Sequence, residues 1–153
     1  MNDFQVRPLE AGQLPSVAAL FELQLAEHNV ERSSAELIAG LEILLAKPTQ
    51  GFVLVAMAHD KPIGVAYGSC ILSLEHGGWS GWLDELYVLP KWRGRGVGSV
   101  LLSAVITEAK ARGWAALDLE VEVDHARVIP LYERHRFELV RRTRYVRRLR
   151  AEQ

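Results

Sequence analysis

The apolar positions of the chain change period several times, and each change marks an element. Phe4 to Pro8 reads as a short first strand. From Leu14 to Leu25 the residues Leu14, Val17, Ala18, Leu20, Phe21 and Leu25 recur at helical spacing and predict an amphipathic first helix. A polar patch follows, Glu27-His28-Asn29 through Glu31-Arg32. Ser33 with Glu36 then spells a capping box for a second helix, which carries Leu37, Ile38, Leu41, Leu44 and Leu45 on one face and stops at Lys47-Pro48. Gly51 to His59 is continuously apolar and β-branched. His59-Asp60-Lys61-Pro62 reads as a turn, with Ile63 to Leu74 as the hairpin partner. His76-Gly77-Gly78 turns the chain into Trp79 to Leu89, the third strand of an antiparallel meander.

The stretch from Leu83 to Gly113 organises the rest. The β-rich run Leu86-Tyr87-Val88-Leu89 breaks at Pro90 and passes through a loop with glycines at 94, 96 and 98. It becomes a helix whose Val100, Leu101, Ala104, Val105 and Ala109 recur at helical spacing, closed by Arg112-Gly113. Such a loop lets backbone N–H groups converge on an anion without Cβ interference, and the helix start adds uncompensated donors and the positive end of its dipole. A Walker-type nucleotide loop needs Gly-Lys followed by Ser or Thr, whereas Gly98 is followed by Ser99-Val100. A Rossmann fingerprint belongs to the first strand-helix unit, and this loop lies past mid-chain.

After this helix, Ala115 to Asp124 alternates: Leu117, Leu119, Val121 and Val123 against Asp118, Glu120, Glu122 and Asp124. This predicts a half-buried strand, joined parallel to the central one by a right-handed crossover. A fourth helix, about Ala126 to Arg134, leads to a last strand from Phe137 to about Leu149.

Charge and length narrow the function. The 153 residues fit one domain over 1–153, and 18 basic against 19 acidic side chains argue against nucleic-acid or membrane-surface binding. Arg134, Arg136, Arg141, Arg142, Arg144, Arg147, Arg148 and Arg150 nevertheless crowd the C-terminus; a nucleic-acid partner bound there would show a steep salt dependence. One cysteine, Cys70, can close no intrachain disulfide and reads as a small strand residue. Without a basic-plus-apolar leader or an apolar run of about 18 residues, the expectation is a soluble, cytoplasmic protein.

The central stretch resembles the GNAT superfamily of acyl-CoA-dependent N-acetyltransferases. The pyrophosphate signature reads Arg93-Gly94-Arg95-Gly96-Val97-Gly98, preceded by Leu-Asp-Glu-Leu-Tyr-Val-Leu-Pro and followed by the later Leu131-Tyr132. The resemblance implies an α/β fold: a mixed, mostly antiparallel sheet with a splayed parallel strand pair and about four helices. It implies acetyl-CoA as co-substrate, its pyrophosphate on the loop from Arg93 to Ser99 and its pantetheine arm along the backbone of Leu86, Tyr87 and Val88.

Acetyl transfer to an amine needs a neutral nucleophile, a polarised thioester carbonyl and a proton for the leaving thiolate. An alkyl ammonium with pKa about 10.4 spends roughly 4–5 kcal/mol to be neutral at pH 7, so an acceptor for its proton helps. Asp84 and Glu85 point to opposite faces of a strand, so only one meets the amine; resemblance to the diamine and polyamine branch favours Asp84 first and Glu85 second. By the same resemblance a backbone N–H near Val88 stabilises the oxyanion. Tyr132, in Leu131-Tyr132-Glu133-Arg134-His135-Arg136-Phe137, matches the family's general acid, with Arg136 where the family has Gly. His125 stands where the family has Asn, and a cofactor contact, an added base and a helix cap all remain open for it.

Glu27, His28 and Glu31 follow the helix that walls the acceptor site in the family, and Glu27 and His28 with Asp84 form the expected substrate-binding set. Trp79 and Trp82 are either part of the same mouth or ordinary strand aromatics. The carboxylates from Asp118 to Asp124 have no His or Cys at ligand spacing, so no metal is expected. A cross-strand pairing with the C-terminal arginines would neutralise them; the same arginine strand can instead form a homodimer edge. The expected activity is acetylation of a primary amine, a small cationic diamine, polyamine or amino-acid-like molecule, by direct attack in a ternary complex. Alternatives are a protein N-terminus or aminoglycoside as acceptor, or a non-catalytic acyl-CoA-binding regulatory module.

Overall fold

The computed structural model describes residues 3–150. Its strands are β1 (Gln5–Pro8), β2 (Gly51–Ala58), β3 (Lys61–Ser73), β4 (Gly78–Val88) and β5 (Leu117–Leu119), and its helices are α1 (Leu14–Glu27), α2 (Ser34–Ala46), α3 (Val97–Ala111) and α4 (Ile129–Arg134). The strands form one open sheet in the order β1-β2-β3-β4-β5, antiparallel except for the parallel pair β4–β5. This is the expected mixed α/β architecture.

Local chemistry accounts for most of it. Ser33 Oγ accepts the Glu36 N–H at 3.1 Å while Glu36 accepts the Ser33 N–H at 3.1 Å, so α2 starts with the capping box seen in the sequence. His59 and Asp60 both take positive φ, +49° and +61°, the two central positions of a tight β2–β3 hairpin. Gly113, at φ +73°, ends α3, with Trp114 donating back to the Ala109 carbonyl at 3.0 Å.

The sheet buries both faces. On one side α1 and α2 cover Val53, Val55, Val65 and Tyr87 with Val17, Phe21 and Leu41; on the other α3 covers Leu54, Ala66 and Leu83 with Val97, Leu101 and Val105. That two-sided burial explains why β2 is apolar without alternation. Trp114 stacks on Phe52 at 5.5 Å and closes over Gly81, where any Cβ would strike its ring.

Two sequence expectations fail in the last third. The strand predicted over Ala115 to Asp124 is three residues long; a 3-10 turn occupies Val123–Val128, and Val123, placed on the buried face by alternation, is 93% exposed. Pairing of β4 with β5 ends at Leu83↔Leu119, after which β4 continues to Val88 paired with β3 only, so residues beyond 119 lack a ladder partner. The last strand, Phe137 to Leu149, is absent: the described part of this segment has no regular structure and leaves Leu139, Tyr145 and Leu149 exposed. Its arginines nonetheless lie beside the acids. Arg142 grips Glu75 through both nitrogens at 2.8 Å, and Arg144 meets Glu120 at 2.7 Å.

Candidate active site

The divergence of β4 from β5 creates the site. The Leu89 N–H still goes to Ile63 on β3, whereas the carbonyls of Leu86 and Val88 are taken by side chains, Gln24 at 3.4 Å and Arg93 Nε at 2.9 Å. Leu86 and Val88 therefore turn their main-chain groups away from β3, towards the gap. Tyr87 instead pairs with Val65, and its ring lies under the Arg93 guanidinium at 5.4 Å.

At the mouth of the gap the glycine loop has the form an anion requires. Gly94 and Gly96 hold φ +76° and +84°, values costly for any residue with a Cβ. Helix α3 begins after Gly96 with neither a side-chain cap nor an acidic residue in its first turn, so the N–H groups of Val97, Gly98 and Ser99 lack partners within the helix. These donors fit a phosphate-bearing ligand. The arginines of the motif are otherwise engaged: Arg93 binds Glu27 at 3.0 Å as well as Val88, and Arg95 stacks on Trp92 at 4.7 Å. Ser99 Oγ lies 3.3 Å from His135 Nε2. Since the Leu131 carbonyl, 2.9 Å from His135 Nδ1, can only accept, that network assigns the proton to Nδ1.

Asp84 sits at a β-bulge and Glu85 beside it. The register passes from Tyr67↔Glu85 to Gly68↔Leu83 and skips Asp84. Glu85 lines an open cleft of about 570 Å³ between the α1–α2 pair and β3. Burial pushes its carboxyl up to about 7, against the opposing pull of His28 and with further upward pushes from Asp84 and Glu122. Asp84 is exposed as a residue, yet loss of water around its carboxyl raises its pKa, followed by a hydrogen bond to Ser69 that lowers it. It does not line the cleft. Tyr132 lies across the gap from β4; burial first, and then the Glu85 charge, push its hydroxyl up to about 12.

The expected acceptor residues are placed differently. Glu27 is tied to Arg93. His28 Nδ1 stands 2.8 Å from Glu122 Oε2 without forming a hydrogen bond to it. Its ring lies 4.5 Å from that of His125, which serves neither as cap nor as helix residue. Donor atoms of His28, Glu122 and His125 fall within 4.8 Å of one another, a grouping invisible in the sequence and, among the described residues, the set that could hold a cation. Trp79 is 57% exposed at the far end of β4, and neither it nor Trp82 lines the cleft.

Sequence reasoning missed Gln24. It is buried on α1, donates to Leu86 and leaves its Oε1 without a partner. A buried, unsatisfied acceptor beside the free edge of β4 is what a ligand's N–H would complete. In the sequence it is one polar residue within a helical run, with nothing to mark its burial.

The sequence profile of the Acetyltransferase (GNAT) family matches residues 17–137, from within α1 to Phe137. The chain belongs to that family. An uncharacterized N-acetyltransferase of Methanocaldococcus jannaschii is 33% identical over 97 residues, 62% of this chain and 42% of that protein, so the match spans less than half the relative's length. An integron cassette protein from the mobile metagenome of Cole Harbour Salt Marsh superposes with TM-score 0.85 at 26% identity, over 97% of this chain and 92% of that one. An aminoglycoside N-acetyltransferase crystallised with CoA shares the fold, with TM-score 0.82 at 21% identity over 95% of both chains.

Proposed function

We propose that this GNAT-family chain transfers the acetyl group of acetyl-CoA to a primary amine by direct attack, with Glu85 as base and Tyr132 as acid. The observation that carries the reading is that Glu85, on β4 where it leaves β5, is near enough for its charge to raise the Tyr132 hydroxyl, with an anion-shaped loop at the mouth of the same gap. Acetyl-CoA supplies the activated acyl group. The N–H donors that open α3 hold its phosphates, and the free edges of Leu86 and Val88, with Gln24 Oε1, hold its arm.

Glu85 replaces Asp84 as the favoured base because it lines the cleft through which an amine arrives. A carboxyl titrating near 7 is largely ionised slightly above neutrality and still basic enough to take an ammonium proton. Between about pH 7 and about 12 Glu85 is ionised while Tyr132 keeps its proton, so its O–H is available to the departing sulfur. A cytoplasmic setting and a homodimer belong to the same reading, supported by the single cysteine and by the exposed apolar residues of the C-terminal segment.

The test is release of free thiol from acetyl-CoA with a panel of amines, repeated on Tyr132→Phe. Turnover that falls about 100-fold while CoA affinity stays within twofold supports the acid role. Equal loss of both reduces Tyr132 to a cofactor contact. CoA binding with no turnover on any amine points instead to a regulatory acyl-CoA-binding module.

A further inference from the structure

The walls of the cleft that ends at Glu85 do not suit a polycation. Phe21 and Leu25 come from α1, and Leu37, Leu41 and Leu44 from α2. Three charged residues line it. Glu36, at the outer end, spends its carboxylate on capping α2. Lys47, at the other end of α2, has no ion pair among the described residues. Glu85 is thus the carboxylate left for an ammonium, and an unneutralised cation stands at the rim.

Resting on the acetyltransferase reading above, we propose that the acceptor is a primary amine on an apolar body, an alkyl or aryl-alkyl amine, and not a polyamine or aminoglycoside. The amine nitrogen goes to Glu85 and the body lies between Phe21 and the α2 leucines. A second ammonium would be carried against hydrocarbon and towards Lys47, and the polar side chains of the β-side, Gln50, Tyr67 and Ser69, are too few to replace the water around the many hydroxyls of an aminoglycoside. The cleft, at about 570 Å³, is of the size that takes a small organic molecule. Each methylene buried there adds a factor of about four in affinity.

Gly40 offers a test that does not threaten the fold. It lines the cleft from within α2, and a Cβ built on it meets nothing within 4 Å. Gly40→Leu adds a good helix former at an open position while filling the space meant for the acceptor's body.

The experiment compares ethylamine, butylamine, hexylamine, phenethylamine and spermidine by thiol release from acetyl-CoA. Alongside it, phenethylamine is titrated calorimetrically into the CoA-saturated full chain, wild type and Gly40→Leu. The expected results are a rise of about 15-fold in kcat/KM from butylamine to hexylamine, and a loss of about tenfold for hexylamine and phenethylamine in Gly40→Leu, with ethylamine affected least. Preference for spermidine, or an equal loss for every amine in Gly40→Leu, overturns the acceptor class while leaving acetyl transfer standing. Phenethylamine binding that Gly40→Leu abolishes, without thiol release, upholds the class and removes the transfer reading. Absence of both binding and turnover overturns the class.

Discussion

The ring of Phe137 meets that of Tyr132 nearly edge-on, with centroids 5.8 Å and planes 71° apart. The contact follows from how α4 ends. Phe137 N–H donates to the Tyr132 carbonyl at 3.1 Å and Arg136 N–H to Glu133 at 3.0 Å, a Schellman closure that sets Phe137 against Tyr132. The turn forces Arg136 to φ +67°, where the resembling family carries glycine. Arg136→Gly should therefore stabilise the protein by about 0.5–1 kcal/mol and raise Tm by about 2 °C, leaving turnover unchanged. A drop in Tm on thermal denaturation would show that the Arg136 side chain contributes more than its backbone strain costs.

Glu85 should make the fold less stable as pH rises. Its carboxyl, ordinarily near 4.5, titrates at about 7 in the folded chain. Between those values the folded state binds more protons than the unfolded one, so stability decreases with pH across that window. The total is on the order of 3 kcal/mol. Glu85→Gln should flatten that slope and melt higher than wild type at pH 8. An unchanged pH dependence would mean that Glu85 is better solvated than its surroundings imply.

The glycines of the loop should respond unequally. Gly96 needs its left-handed φ, so Gly96→Ala should cost about 1–2 kcal/mol and weaken CoA binding. Gly98 has no such φ, and a Cβ there meets Leu131 at an ordinary 3.6 Å. Within the first turn of α3, Gly98→Ala should leave stability equal or up to about 1 kcal/mol higher. Chemical denaturation of the two variants decides; equal destabilisation would contradict the assignment.

Elements stabilised by near neighbours were legible in the sequence. The capping box of α2, the His59-Asp60 turn and the Gly113 stop each act within a few residues, and each appears where expected. Between Ala115 and Leu149 the fourth helix was legible, appearing as α4, but the two flanking strands were not beyond Leu119, because alternation predicts a strand only where a partner exists, and β5 loses its partner there. The choice between Asp84 and Glu85 was also hidden. Strict alternation along β4 says only that they differ; the bulge opposite Tyr67 and Gly68 places Glu85 at the cleft. His28, Glu122 and His125 meet only because the end of α1 faces the turn after β5.

The central claim is that Glu85 removes the amine's proton. The measurement that tests it most directly is the pH dependence of kcat/KM for acetyl transfer to an accepted amine, in wild type and Glu85→Gln. The account predicts a wild-type limb rising through about pH 7, in keeping with the raised carboxyl, and in Glu85→Gln the loss of that limb with activity reduced about 100-fold or more. A Glu85→Gln enzyme that keeps both its rate and its limb near pH 7 would contradict it and return the role to another group.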